Sequence, residues 1–513
     1  MKTLHLIIFF LTILLTIGQS PDQLYDELFE VVQMQRIFPD SKTFCDVLPR
    51  KLGPNDILDL YRQEYNKPTF NLTSFVFDNF IIPNTTIVVH EKWTIEEHCH
   101  RLWPLLTRTT NHENFSSFID VQHPFVVPGG RFREFYYWDT YFTMLGLVRS
   151  NQSQLIDNML ENFAYLIQTI GFIPNGNRYY FEGRSQPPFF SLMTELVKKT
   201  DKYRNELEKE YQFWMNKRSI TLDDGTILNR YYDDLNARPR PEAYFEDKEI
   251  ANKKNTTDIY VHLRAAAESG WDFSSRWMED EKDLSTTITT NILPIDLNCL
   301  LYHLELVLNK QNEAERRRQA IQKYMWSNDL QFFTDYNFVK KQPTNRLTLA
   351  ALFPLWLNVS TKDQAENVAR QVEKLFLRDG GVVTTISNQS TQQWDSPNGW
   401  APLQFITYQA LLKIPGYETL AQTIRQRWMA LNERVFNDTG KMMEKYDVVN
   451  IHKPAGGGEY ETQDGFGWTN GVYLEMLQDQ KSTSNSIKYK QTFFQILFFS
   501  ILSFYLTIKT NEN

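Results

Sequence analysis

Seven short stretches of this chain set an aromatic ring beside a carboxylate, an amide or an arginine. They are PGGRFREFYYWDTYF (128–142), PNGNRYYFEGRSQPP (174–188), RPRPEAY (238–244), SGWDFSSRWM (269–278), QQWDSPNGWAP (392–402), EKYD (444–447) and GGGEYETQDGFGWTNG (456–471). A sugar is the ligand that asks for this mixture. Its C–H faces stack on Trp and Tyr, and its hydroxyls take charged or amide partners in paired hydrogen bonds. Any one motif is explained as well by a core tryptophan next to a helix-capping aspartate. The set is not, because packing alone rarely places so many Trp-Asp pairs. The triple glycine Gly456–Gly458 has the form of a phosphate cradle, but Glu459 follows where such loops carry lysine. A carboxylate there repels phosphate, so a backbone in close approach to a neutral sugar fits better.

Together the motifs resemble the trehalases, glycoside hydrolases that split α,α-trehalose into two glucoses. PGGRFREFYYWDTYF is similar to the first signature of that family, QWDSPNGWAP to the second, and the glycine loop running into GEYETQDGFGWTNG to a third landmark. The resemblance covers residues 30–478 and implies an all-α fold, an (α/α)6 toroid with its pocket at one end. Residue by residue it implies Asp272 as general acid and Glu444 as general base. As sugar-binding positions it implies Arg131, Trp138 and Asp139, then Asn175, Arg184, Ser185 and Gln186, then Arg240, Pro241, Glu242 and Gly270, and finally Glu459. It implies no cofactor and no metal. One departure is visible: the run Pro454-Ala455-Gly456-Gly457-Gly458 is shorter than the glycine tract usual in the family, which implies a stiffer lid.

Physical chemistry supports the two carboxyl roles. Inverting hydrolysis needs a protonated acid on the glycosidic oxygen and an ionised carboxylate that activates water on the opposite face. Asp272 sits between Trp271 and Phe273, a desolvated setting that raises a carboxyl as an acid requires. Glu444 neighbours Lys445, which favours an ionised base if the ammonium turns toward it; the sequence leaves that direction open. EKYD alone is a common surface string, and its place fifteen residues before Glu459 is what gives it weight. Arg131, Arg184 and Arg240 can hold hydroxyls and balance the carboxylates. Two rivals remain at this level: another inverting α-glucosidase of glucoamylase type, and a non-catalytic sugar-binding surface protein. The long signatures argue against the first, and the presence of both carboxylates argues against the second.

The elements that must position these loops read as helices. SQLIDNMLENFAYLIQTIG repeats apolar residues at helical spacing from Leu155 to Ile170 and stops at Gly171. Thr361 and Gln364 form a capping box before the stripe Ala365, Val368, Ala369, Val372 and Phe376. Leu420, Ile424, Trp428, Leu431 and Val435 make another stripe. Strand alternation is scarce. The chemistry-bearing residues lie in the loops 171–189, 237–245, 392–402 and 454–470 rather than on these stripes, as expected of a site mounted on a rigid scaffold. The expected organisation is a signal peptide at 1–20, a helical extension at 21–125 packed on the barrel, a catalytic barrel at 126–480, and a spacer with hydrophobic tail at 481–513.

The 513 residues are 42% hydrophobic, ample for a large core. The net charge of −8 sets nucleic acid aside as a partner. Residues 1–20, with Lys2 before the apolar run Leu6–Ile17, read as a secretory signal. Sequons at Asn71, Asn84, Asn114, Asn151, Asn255, Asn358, Asn388 and Asn437 agree with export. Three cysteines, Cys45, Cys99 and Cys299, allow at most one intrachain disulfide, and whether Cys45 pairs with Cys99 is open at this level. His98-Cys99-His100 has no second ligand cluster near it and is set aside as a metal site. Phe493–Ile508 is uncharged and apolar, shorter than an ordinary span, with small residues Ser482–Ser486 before it. That order favours a GPI signal over a transmembrane helix and places the expected location at the outer face of the cell membrane. Oligomeric state is not legible.

Overall fold

The computed structural model describes residues 20–83, 93–110, 113–235 and 237–481. The expected leader (apart from Ser20), the Asn84 sequon and the apolar tail lie outside these residues. Among the described residues no helix is long and apolar enough to cross a membrane.

The expected helices form, and their ends are set by local chemistry. Ser153–Ile170 stops at Gly171, whose φ of 98° suits a residue without Cβ. Thr361 and Gln364 exchange both bonds of the capping box at the start of Lys362–Gln371. Glu418–Thr439 carries the third stripe and ends at Gly440 in the left-handed region.

Helix pairs follow one another along the chain, each with one almost wholly buried member. The inner members are Tyr137–Arg149, Phe190–Leu196, Ile295–Val307, the short Phe353–Trp356, Ala401–Leu412 and the helical segment 467–481. Ile295–Val307 packs on Phe190–Leu196 and on Phe353–Trp356, which packs in turn on Ala401–Leu412. The ring closes where segment 467–481 meets both neighbours. Tyr408 donates to Asp479 at 3.2 Å, and Gly471 lies so close to Phe142 that an added Cβ would stand 2.0 Å from its carbonyl oxygen. Ser153–Ile170, Arg204–Lys217, Gln311–Tyr324, Lys362–Gln371 and Glu418–Thr439 stand behind as outer members. This is the expected all-α (α/α)6 barrel. Its strands are short antiparallel ribbons, of which Asn398–Trp400 with Lys445–Asp447 serves the site.

Residues upstream of the ring divide in two. Tyr25 to Phe80 build a separate aromatic cluster that reaches Tyr136, Tyr180 and Phe181 of the barrel. Cys99, Leu102, Trp103 and Leu106, by contrast, share the barrel's own core. Trp103 Nε1 donates to Ser150 at 2.8 Å, and His98 packs on Phe436 at 4.9 Å. The segment at 95–106 thus packs into the barrel's core, with Trp103 against Gly146 and Cys99 against Asn470. The three cysteines are buried and free, so no disulfide joins Cys45 to Cys99.

Candidate active site

The loaded loops share one end of the ring because most of them run from an outer helix into the N-terminus of the next inner one. There they enclose a cavity with about 820 Å³ of empty space, counting its mouth. Asp272, Glu444, Arg131, Trp138, Asp139, Asn175, Arg184, Gln186, Arg240, Glu242, Gly270 and Glu459 all line it. Ser185 and Pro241 do not. Ser185 gives its hydroxyl to the Ile173 carbonyl at 2.6 Å and its N–H to Glu268, so it braces the loop. Pro241 opens a 3-10 turn, and its carbonyl accepts from Gln33.

Asp272 follows the helix Ile259–Glu268 through Gly270, which has φ of 74° and lies against the Trp138 ring. A stack of tryptophans backs Asp272. Trp394 lies flat on Trp400 with centroids 3.9 Å apart and on Trp271 at 5.5 Å, while Trp138 and Trp468 approach the group tilted or edge-on. Burial in this setting pushes the Asp272 carboxyl up to about 6, against the pull of Arg240. Burial likewise pushes Asp139 up to about 8, with the charges of Glu444 and Asp272 adding to it.

Glu444 precedes the strand Lys445–Asp447 and is 1% exposed. Tyr460 donates to one carboxylate oxygen at 2.8 Å and Lys445 to the other at 3.3 Å. Lys445 thus turns inward, the direction the sequence left open. Trp468 Nε1 fixes the Glu444 carbonyl at 3.0 Å, and the Glu444 N–H donates to the Gln463 carbonyl at 2.9 Å.

The arginines are held before any ligand arrives. Arg184 donates to Asn175 at 3.1 Å, to Asp233 at 3.3 Å and to Glu242. Arg240 is clamped by Asp247 and donates to Glu459 at 2.8 Å. Arg131 stands 4.7 Å over the Tyr460 ring and 3.7 Å from Asp40. Two buried atoms of lining residues, Arg131 Nε and Glu242 Oε2, have no protein partner. The cavity holds pairs of guanidinium and carboxylate, aromatic faces, and two carboxyls in contrasting surroundings. Such an arrangement can bind a polyol ring and has the two carboxyl groups that acid–base cleavage of an acetal requires.

The comparisons with known proteins bear on which polyol. Residues 36–481 match the sequence profile of the family described as Trehalase. The chain belongs to the trehalase family. A periplasmic trehalase of Citrobacter koseri is 44% identical over 496 residues, covering 90% of this chain and 86% of that protein. One from Escherichia coli is 43% identical over 498 residues, covering 90% and 87%. Among solved structures, the neutral trehalase of Saccharomyces cerevisiae matches with a TM-score of 0.59 at 27% identity, over 69% of this chain and 73% of that one. A GH63 mannosylglycerate hydrolase of Thermus thermophilus matches with a TM-score of 0.50 at 14% identity, over 74% and 99%, which speaks for the fold alone.

Several lining residues of this trehalase-family site were not singled out from the sequence. Tyr460 follows Glu459 within a quoted motif, yet nothing local marks its hydroxyl as a partner of Glu444. Asp40, Ser41 and Lys42 come from the N-terminal cluster and carry no local signal at all. His98 and Cys99, set aside as a metal site, are buried; Cys99 donates to Asn470 at 3.7 Å, and no group of three metal-ligand side chains is found among the described residues.

Proposed function

We propose that this chain hydrolyses α,α-trehalose to two glucose molecules with inversion, Asp272 acting as general acid and Glu444 as general base. The observation that carries the reading is that both carboxyls line one cavity, one flanked by tryptophans and the other by an ammonium and a phenol. Asp272, raised by burial, gives its proton to the glycosidic oxygen as the bond to the anomeric carbon breaks. Glu444 takes a proton from water attacking the opposite face, so one glucose leaves with inverted configuration and the other keeps its own. This geometry asks for the two carboxyl groups to stand about 6.5–9.5 Å apart. Trp138, which lines the cavity, offers an aromatic surface for sugar C–H groups, and Arg131, Arg184, Arg240, Glu242 and Glu459 take hydroxyls. Two carboxyls suffice for this reaction, so turnover is expected to survive exhaustive EDTA treatment.

Purified protein should release glucose from trehalose, and NMR at the instant of cleavage should show one β and one α anomer per disaccharide. Two α anomers would indicate a retaining double displacement and remove Glu444 from the role of base. Faster turnover of maltose than of trehalose would favour a glucoamylase-type specificity.

The periplasmic relatives and the leader-like first twenty residues support an exported protein. For the tail Phe493–Ile508 the layout of small residues, spacer and apolar run supports a GPI signal. Release of activity from cells by phosphatidylinositol-specific phospholipase C is the expected result. A mature, membrane-held protein that still contains Phe493 would establish a transmembrane anchor instead.

A further inference from the structure

A closed ring of hydrogen bonds surrounds the carboxylate of Glu444, and one member of it is carried by the lid. Tyr460 donates to Glu444 Oε1 at 2.8 Å, and Lys445 Nζ donates to Oε2 at 3.3 Å. Lys445 also donates to Gln393 Oε1 at 2.7 Å, and Gln393 Nε2 donates to Tyr460 at 3.3 Å and to the Asp272 carbonyl at 2.6 Å. Gln393 therefore ties the base's two donors to each other and to the peptide of the acid. Lys445 is fixed by its strand, Asn398–Trp400 pairing with Lys445–Asp447, whereas Tyr460 arrives on the segment that follows Gly456–Gly458. That segment is docked by Glu459 on Arg240, by Gln463 Oε1, which accepts from the Arg131 N–H at 2.8 Å, and by the Gly456 carbonyl, which accepts from Asn398 at 2.7 Å.

We infer that Tyr460 is a positioning residue for the base: when the lid is docked, its phenol fixes the Glu444 carboxylate and completes the donor set that keeps it ready to accept a proton. The inference rests on the reading of Glu444 as base. A buried carboxylate with one donor removed rotates or draws a proton to satisfy the exposed lone pair. The phenol is held as a donor, since burial raises Tyr460 well above its ordinary range, with the charges of Glu444 and Asp272 acting in the same direction. The groups that face this pair are Lys445 on the strand, Arg131 at 4.7 Å over the Tyr460 ring, Asp139 on the first inner helix, and Asp272 in the same cavity.

The test uses the full protein with trehalose as probe. Tyr460→Phe should lower kcat by about 10- to 100-fold, the value of one hydrogen bond to a charged group, with KM changed by less than about threefold. The acidic limb of its kcat/KM profile should move to higher pH, and the alkaline limb should stay. In a Glu444→Ala background the same change should cost nothing further, because the phenol acts through the carboxylate. This comparison also separates a general loss of folding, which would appear in both backgrounds. Full kcat in Tyr460→Phe, an unmoved acidic limb, or an equal loss in both backgrounds overturns the inference while leaving the base in place. Undiminished turnover by Glu444→Ala overturns the base assignment and the inference with it.

Discussion

Arg240 Nη2 donates to Glu459 at 2.8 Å and also to Asp247 at 2.7 Å, and Arg240 Nε donates to Asp247 as well. The lid carboxylate is thus docked on an arginine that is already neutralised and immobile. Removing Glu459 leaves Arg240 paired, so the barrel should persist while the lid and a hydroxyl partner are lost. Glu459→Ala is expected to raise KM for trehalose about 10-fold or more, with melting lowered by only a few degrees. Steady-state kinetics beside a thermal melt check it; an unchanged KM would separate the lid from substrate binding.

The alkaline side of the rate profile should belong to Asp272. Its carboxyl is raised to about 6 by burial, so it holds its proton below that pH and loses it above. The proposed acid works only when protonated, so kcat/KM should fall about tenfold per pH unit above 6. Asp139, near 8, and Glu459, near 7, are electrostatically coupled to Asp272, so the observed midpoint is that of the group. A profile rising from pH 6 to 8 would contradict the assignment.

Asp272→Asn should separate chemistry from binding. An amide cannot supply the proton, so kcat should fall by about 10²- to 10⁴-fold while trehalose still binds by calorimetry. Stability should move the other way. A carboxyl raised on folding contributes stability that is full below its unfolded value of 3.8 and lost as pH rises through about 6. The amide escapes that loss, so the variant's melting temperature should gain on the parent's between pH 4 and pH 7. A difference independent of pH would show that Asp272 is not the group under strain.

Gly270 joins backbone to binding site. Its φ is 74°, and a Cβ there would stand 2.9 Å from the Trp138 ring. Gly270→Ala should destabilise the fold by about 1–3 kcal/mol and raise KM by displacing Trp138. Denaturation and kinetics on one preparation check both, and wild-type values for each would show that the ring yields freely.

Local patterns in the chain mark the helices and the loops whose residues line the cavity, although Ser185 and Pro241 stand outside it. Helical stripes, the Thr361 capping box and the Gly171 stop are local, because period and cap chemistry act within a few residues. The sugar-binding composition of the loops is local too, and two long signatures sufficed for the family. Tertiary structure alone decided the rest. Lys445 turns toward Glu444 because its strand pairs with Asn398–Trp400, a partner that nothing in EKYD reveals. Tyr460 reaches Glu444, and Asp40 and Lys42 reach the cavity, only because the segment after Gly456–Gly458 and the N-terminal cluster pack against the barrel's loops. Residues 95–106 join the barrel's core through Cys99 and Trp103, contacts with Asn470 and Ser150 that no local pattern carries. The environment that raises Asp272 is hinted at by Trp271 and Phe273, but its depth comes from tryptophans more than a hundred residues away. Pairing, burial and charge proximity join residues distant in the chain, so only the folded ring brings Asp272, Glu444 and Glu459 to one cavity.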